Sequence, residues 1–228
     1  MRILVTGFER FGPNDLNPTA LLMDRLAGRE GVVAAVLPVE YHTSVGRFEA
    51  LLDEHRPDAA VAFGLARSFD RIRVERVALN LDEATVPDNA GVLRCGLRIV
   101  EDGPVGYWST LPVDRLIDAL DRAGLPAAAS GHAGGYVCNH LFYGVRHALE
   151  RQGRSLPMGF VHVPPLPEQV AGEPGRTGLA LDEIERAARI VLDELAAGRG
   201  ARRPPDRHAG ISGRHLTPPG PRPPVSPA

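Results

Sequence analysis

Short apolar runs alternate with longer amphipathic stretches along most of the chain. ILVTG (3–7), VVAAVLPV (32–39), AAVAFGL (59–65) and FVHV (160–163) are brief, rich in branched residues and bounded by turn formers, which predicts buried strands. Between them, apolar residues recur three and four apart, the spacing of one helical face. Asn17 followed by Pro18 predicts an N-cap and first helical residue for a helix to about Leu26. Thr43 or Ser44 would cap a second helix, running through Leu52. Pro112 would start a third, with Leu116, Ala119, Leu120 and Ala123 on one face and Gly124 at its end. A fourth begins near Cys138 after a turn marked by Gly134 and Gly135, with Leu141, Phe142, Val145, Ala148 and Leu149 inward. The last spans about Leu181 to Ala197, burying Ile184, Ala187, Ala188, Val191, Leu192 and Leu195. Strand and helix in alternation imply an α/β fold whose mostly parallel sheet is covered on both faces.

The segment RIRVERVALNLDEATVPDN (71–89) slips in phase. Ile72 and Val74 share one parity, whereas Val77, Leu79 and Leu81 share the other. A β-bulge at Glu75 and Arg76 would produce that slip, and bulges re-aim side chains beside active sites. Glu75 would then point inward; otherwise it is a solvated carboxylate paired with Arg73 or Arg76.

Composition narrows the class. With 228 residues, 43% of them hydrophobic, the chain can bury one substantial core, so one domain is expected. No run of about 18 apolar residues occurs. MRILVTGF lacks the long apolar region of a signal peptide and reads as a first strand. Cys95 and Cys138 cannot build a disulfide scaffold and no CxxC is present, so a reducing cytoplasm is expected, without structural zinc. His132, Cys138 and His140 match no common metal-ligand spacing, and no metal is expected. The net charge of −2 hides a division: six Arg and one Asp from Arg199 onward make the end basic, by about +5, and leave the remainder near −7. Residues 199–228 also hold eight of the 21 prolines and few large apolar residues, which predicts a disordered Arg/Pro-rich tail. Without interleaved aromatics or an amphipathic pattern, neither nucleic acid nor membrane is expected as a partner.

The chemistry centres on Cys138, in GGYVCNHLFYGVRHAL. A thiol at a helix N-terminus meets unpaired N–H groups and the positive end of the helix dipole, which favours its thiolate; a small buried core residue is the alternative. His162 sits inside an apolar strand just before a proline-rich turn, where α/β enzymes place catalytic groups, although a strand histidine can also be hydrogen-bonded core. A cysteine nucleophile needs a base in reach, and the base needs a group that fixes its tautomer. Cys138, His162 and Glu75 supply those three chemistries.

Four blocks in order, GFERFG with NPT, ERVALNLDEA followed by VPDN, GGYVCNHLFYG and HVPPLPEQ, resemble pyroglutamyl peptidase I, a family of cysteine exopeptidases, over about residues 1–197. The resemblance implies a single-domain three-layer α/β/α sandwich over 1–198 with a mostly parallel, mixed central sheet. It also implies release of N-terminal 5-oxoproline from peptides without a cofactor, by Cys138 as nucleophile, His162 as base and Glu75 as orienting carboxylate. Phe8 and Phe11 would hold the lactam ring, Val86 would add an apolar wall and Asn17 would brace the loop; family members are often dimers or tetramers. Thr85 stands where most members carry an Arg thought to bind substrate or oxyanion, a loss that Arg76 could offset. Arg10, Pro13, Gly131 and Gly135 are further departures around the site. A noncatalytic binder of modified peptide N-termini, or an amidohydrolase with altered N-acyl or lactam specificity, are the alternatives that these departures keep open.

Overall fold

The structure, a computed structural model, describes residues 1–12 and 16–198. Pro13 and the tail expected over 199–228 lie outside the described residues. Along the chain come β1 (Ile3–Phe8), α1 (Pro18–Leu26), β2 (Val32–Leu37), α2 (Tyr41–His55), β3 (Ala59–Leu65) and β4 (Ile72–Glu75). Then follow β5 (Val77–Leu79), β6 (Asp82–Glu83), β7 (Cys95–Leu97), β8 (Gly106–Trp108), α3 (Val113–Arg122), β9 (Ala127–Ser130), α4 (Val137–Arg151), β10 (Met158–Val163) and α5 (Leu181–Ala197). Among the described residues, no helix is long and apolar enough to cross a membrane.

Six strands form the central sheet in the order β2-β1-β3-β10-β4-β9, and every neighbouring pair is parallel except β10 with β4. Every residue of β1, β3 and β10 is buried, which is why these strands read as unbroken apolar runs. Alternate side chains serve opposite faces. Val5, Val61, Val74 and Val161 pack under α1, α3 and α5, whereas Leu4, Ala62 and Phe160 pack under α2 and α4. The result is the expected sandwich of three layers. Two small ribbons, β5 with β8 and β6 with β7, lie on the α4 side.

Local capping explains α1. The Asn17 side chain accepts from the Thr19 amide at 3.0 Å and Pro18 follows as the first helical residue. Helix α2 starts earlier than the sequence suggests, at Tyr41 rather than after Thr43 or Ser44, and continues to His55 rather than Leu52. Its cap is not local: Asp88, 47 residues onward, accepts from the Tyr41 amide at 3.0 Å. The phase slip near Glu75 is a change of sheet rather than a bulge. Strand β4 pairs with β9 as far as Glu75, then the Arg76 carbonyl accepts from Ser109 at 2.7 Å and β5 continues against β8. Strand β9, AAAS, carries no strand signal because alanine favours helices and the run shows no alternation.

Helix α4 depends on its apolar face. Phe142 is fully buried and its ring centre lies 6.1 Å from that of Phe160 in β10. Replacing Phe142 by Ala should cost about 3–5 kcal/mol, read as a lower urea midpoint with an unchanged denaturant slope.

Candidate active site

Three side chains from three elements meet on the α4 side of the sheet. Cys138 is the second residue of α4, whose first turn carries no side-chain cap. The amides of Val137, Cys138 and Asn139 therefore have no intrahelical acceptor and present partial positive charge beside the thiol. His162, in β10, is only 4% exposed, and its Nδ1 lies 2.8 Å from the Glu75 carboxylate. Glu75 ends β4 with no exposed surface; its second oxygen has no hydrogen-bond partner among the described residues. The inward placement thus follows from strand alternation, since Ile72 and Val74 take the opposite face.

Gly64 makes room for this meeting. It pairs with His162 in the sheet, and a Cβ there would lie 2.9 Å from the Cys138 sulfur and 2.7 Å from the Phe160 ring. The thiol occupies the space a side chain would fill. His162 thus has the Glu75 carboxylate as its hydrogen-bond partner on one side, at 2.8 Å, and interacts with Cys138 as well. Burial pushes its imidazole down, but its interactions with Cys138 and Glu75 outweigh it and raise His162 from 6.5 to about 9. Cys95 is the contrast. It is exposed on β7 beside Glu83, whose charge raises its thiol and disfavours the thiolate.

A cavity of about 290 Å³ opens onto Cys138 and His162. Phe8, Phe11 and Tyr136 line it, as does Asn17. Phe8 is buried and packs on Phe160, and the Phe11 and Tyr136 rings lie 5.9 Å apart. Asn17 does brace the first loop: besides capping α1 it donates to the Glu9 carbonyl at 2.9 Å. Val86 stands elsewhere, 52% exposed and outside the cavity lining. Thr85 is exposed. Arg76 pairs with Asp114 and does not line the cavity either, so it does not replace the arginine expected at position 85. A larger, shallower groove of about 550 Å³ lies between α2 and α4, but neither Cys138 nor His162 lines it.

Two features escaped the sequence reading. Asn139 clamps the neighbouring ribbon to α4: its carbonyl accepts from the Leu79 amide at 3.0 Å and its amide donates to the Leu79 and Leu81 carbonyls, both at 2.9 Å. An asparagine in a helix's first turn, next to the thiol, was the available signal. The other is Leu65, Ala66 and Phe69, which also line the cavity. Phe69 is the one aromatic in the polar stretch ARSFDR, an unusual position for a large apolar side chain.

The profile of the pyroglutamyl peptidase family matches residues 1–197. Among curated relatives, the pyrrolidone-carboxylate peptidase of Bacillus cytotoxicus is 38% identical over 195 residues, covering 84% of this chain and 91% of the relative. That of Bacillus cereus is 36% identical over the same length and coverage. Among solved structures, pyroglutamyl peptidase I of Bacillus amyloliquefaciens superposes with a TM-score of 0.83 at 36% identity, over 86% of this chain and 97% of the other. A mutant pyrrolidone carboxyl peptidase of Pyrococcus furiosus gives 0.82 at 33% identity, over 88% and 100%.

The electrostatics of His162 can be checked directly. By NMR its ring should stay protonated through pH 8 and titrate near 9. In Glu75→Gln or Cys138→Ala, where one of the two interactions that raise His162 is lost and burial persists, the midpoint should move down.

Proposed function

The chain belongs to the pyroglutamyl peptidase family and is a cysteine peptidase that removes N-terminal pyroglutamate from peptides; we propose that it does so through Cys138, His162 and Glu75. The observation that carries this assignment is the buried imidazole that is hydrogen-bonded to Glu75 and lines, together with Cys138, the base of an apolar cavity. A five-membered lactam is neutral and compact, so walls of aromatic rings suit it and no charged anchor is required.

In this mechanism the Cys138 thiolate attacks the carbonyl that joins the pyroglutamyl group to the next residue. The C–S bond forms and the carbonyl electrons move onto oxygen. The oxyanion is met by the first-turn amides of α4, among them that of Cys138, each such donor being worth about 3 kcal/mol in acyl transfer. With Thr85 exposed and Arg76 committed to Asp114, these amides carry the stabilisation that an arginine would otherwise share. As the tetrahedral centre collapses, His162 gives its proton to the departing amine and a thioester remains. Water then attacks the thioester with His162 as base, releasing pyroglutamate and restoring the thiolate and imidazolium. Glu75 keeps the proton-bearing Nδ1 of His162 fixed in both halves. The elevated His162 suits the first half, because a protonated ring is the acid that the leaving amine needs. The peptide beyond its first residue leaves as the free amine, and assembly into dimers or tetramers accords with family habit.

Hydrolysis of a fluorogenic pyroglutamyl amide tests the assignment. Cys138→Ala should abolish turnover, whereas Cys95→Ala should keep it within about twofold, as expected for a surface change away from the site. Turnover retained in Cys138→Ala would remove the nucleophile from the scheme. Glu75→Gln should lower kcat by about 10²–10⁴-fold, the range for an orienting carboxylate replaced by its amide. In wild type, kcat/KM should fall as pH rises through about 9, where His162 loses the proton that the leaving amine requires.

A further inference from the structure

Phe69 does more than fill space beside the site. The Phe69 amide donates to the Ala66 carbonyl at 3.0 Å, closing a turn between β3 and β4. Its ring lines the cavity and meets His162 edge to face, with centres 5.9 Å apart and planes at 86°. The guanidinium carbon of Arg73 lies over the same ring, 4.4 Å from its centre. Arg73 pairs with His162 in the β4–β10 register, its Nε is buried without a hydrogen bond, and no carboxylate among the described residues forms an ion pair with it. A guanidinium so placed is drawn to the electron-rich face of the ring. One face of Phe69 is thereby taken, and the ring also borders the cavity.

Sheet order sets where this ring stands. Phe8 ends β1, and Phe69 packs over residues of β10 and β4, two strands whose places in the sequence β1-β3-β10-β4 lie on the far side of β3. The cavity is therefore bounded by aromatic side chains from two sides, with the thiol between them. We propose that Phe69, held by Arg73, is the specificity-determining wall of the acyl pocket and restricts it to a small flat ring. Arg73 acts through Phe69 and is a positioning residue. The inference rests on the peptidase assignment and adds which side chain selects the acyl group.

The test compares kcat and KM on two amides, one carrying the five-membered pyroglutamyl group and one its six-membered lactam homologue. Phe69→Ala should raise KM for the pyroglutamyl amide about tenfold with kcat changed by less than about threefold, and should lower the preference for the smaller ring by about tenfold, the scale of one methylene in an apolar pocket. Arg73→Met should shift KM and preference in the same direction by about threefold, Arg73→Lys should restore them, and Arg73→Met should add nothing once Phe69 is Leu. Should Phe69→Ala fail to fold, Phe69→Leu reads the same two quantities in the same direction. Unchanged KM and preference in the Phe69 variants, with wild type active, overturn this inference alone. Loss of kcat in Arg73→Met without change in KM or preference also overturns it, since the arginine would then act on His162. A wild type inert toward both amides overturns the peptidase assignment and this inference with it.

Discussion

A carboxylate with no exposed surface is tolerated only where a partner stabilises its charge, and Glu75 has that partner in His162. Both groups are buried, so neither can be solvated in the other's absence. The hydrogen bond between them spans β4 and β10, the one antiparallel pair in the central sheet. Chemistry and architecture meet at that seam. Its register places Glu75 and His162 on the face that α4 covers, and Gly64, on the other side of His162, leaves room for the thiol. A side chain at position 64 would have to displace the sulfur or the Phe160 ring, both parts of the same packed layer.

What surrounds that seam is a frame built from the segment between β5 and β7. Asn139 grips Leu79 and Leu81, His140 meets Asp82 at 2.9 Å, and the Tyr136 hydroxyl donates to the Pro87 carbonyl at 2.9 Å. Asp88, further along that segment, caps α2. The first turns of α2 and α4 are thus tied to a single stretch of chain. Neither helix has a side-chain cap from its own N-cap residue. The ends left open by local sequence are held by tertiary contacts, and at α4 this leaves the leading amides available to a reacting oxygen.

Legibility in the sequence followed the range of the interactions involved. Strands buried on both faces announced themselves as apolar runs, and α1 by Asn17 and Pro18, because one or two residues determine each signal. The start of α2 is not legible locally, because its cap lies 47 residues away. The slip at Glu75 was visible, but its cause was not: a bulge and a change of sheet leave the same parity shift, and only the partners β9 and β8 distinguish them. Cys138, Glu75 and His162 could be singled out one by one from charge or position, yet their proximity depends on the order of strands. Motif resemblance implies Val86 against the substrate, whereas it is half-exposed and off the cavity lining, and Phe69 is masked in the sequence by its charged neighbours.

The order of strands in space differs from their order along the chain. Strand β10, nearly the last element made, inserts between β3 and β4, which were made about a hundred residues earlier. Until it docks, β3 and β4 have no common neighbour and Glu75 lacks its buried partner. Pairings so distant in sequence form late, because the loop between them must close first. During synthesis the emerging polypeptide therefore carries Cys138 and Glu75 before the strand that brings His162 to them. The cluster of Cys138, His162 and Glu75 is assembled only when the central sheet closes, so the site is a product of the finished fold rather than of any one segment.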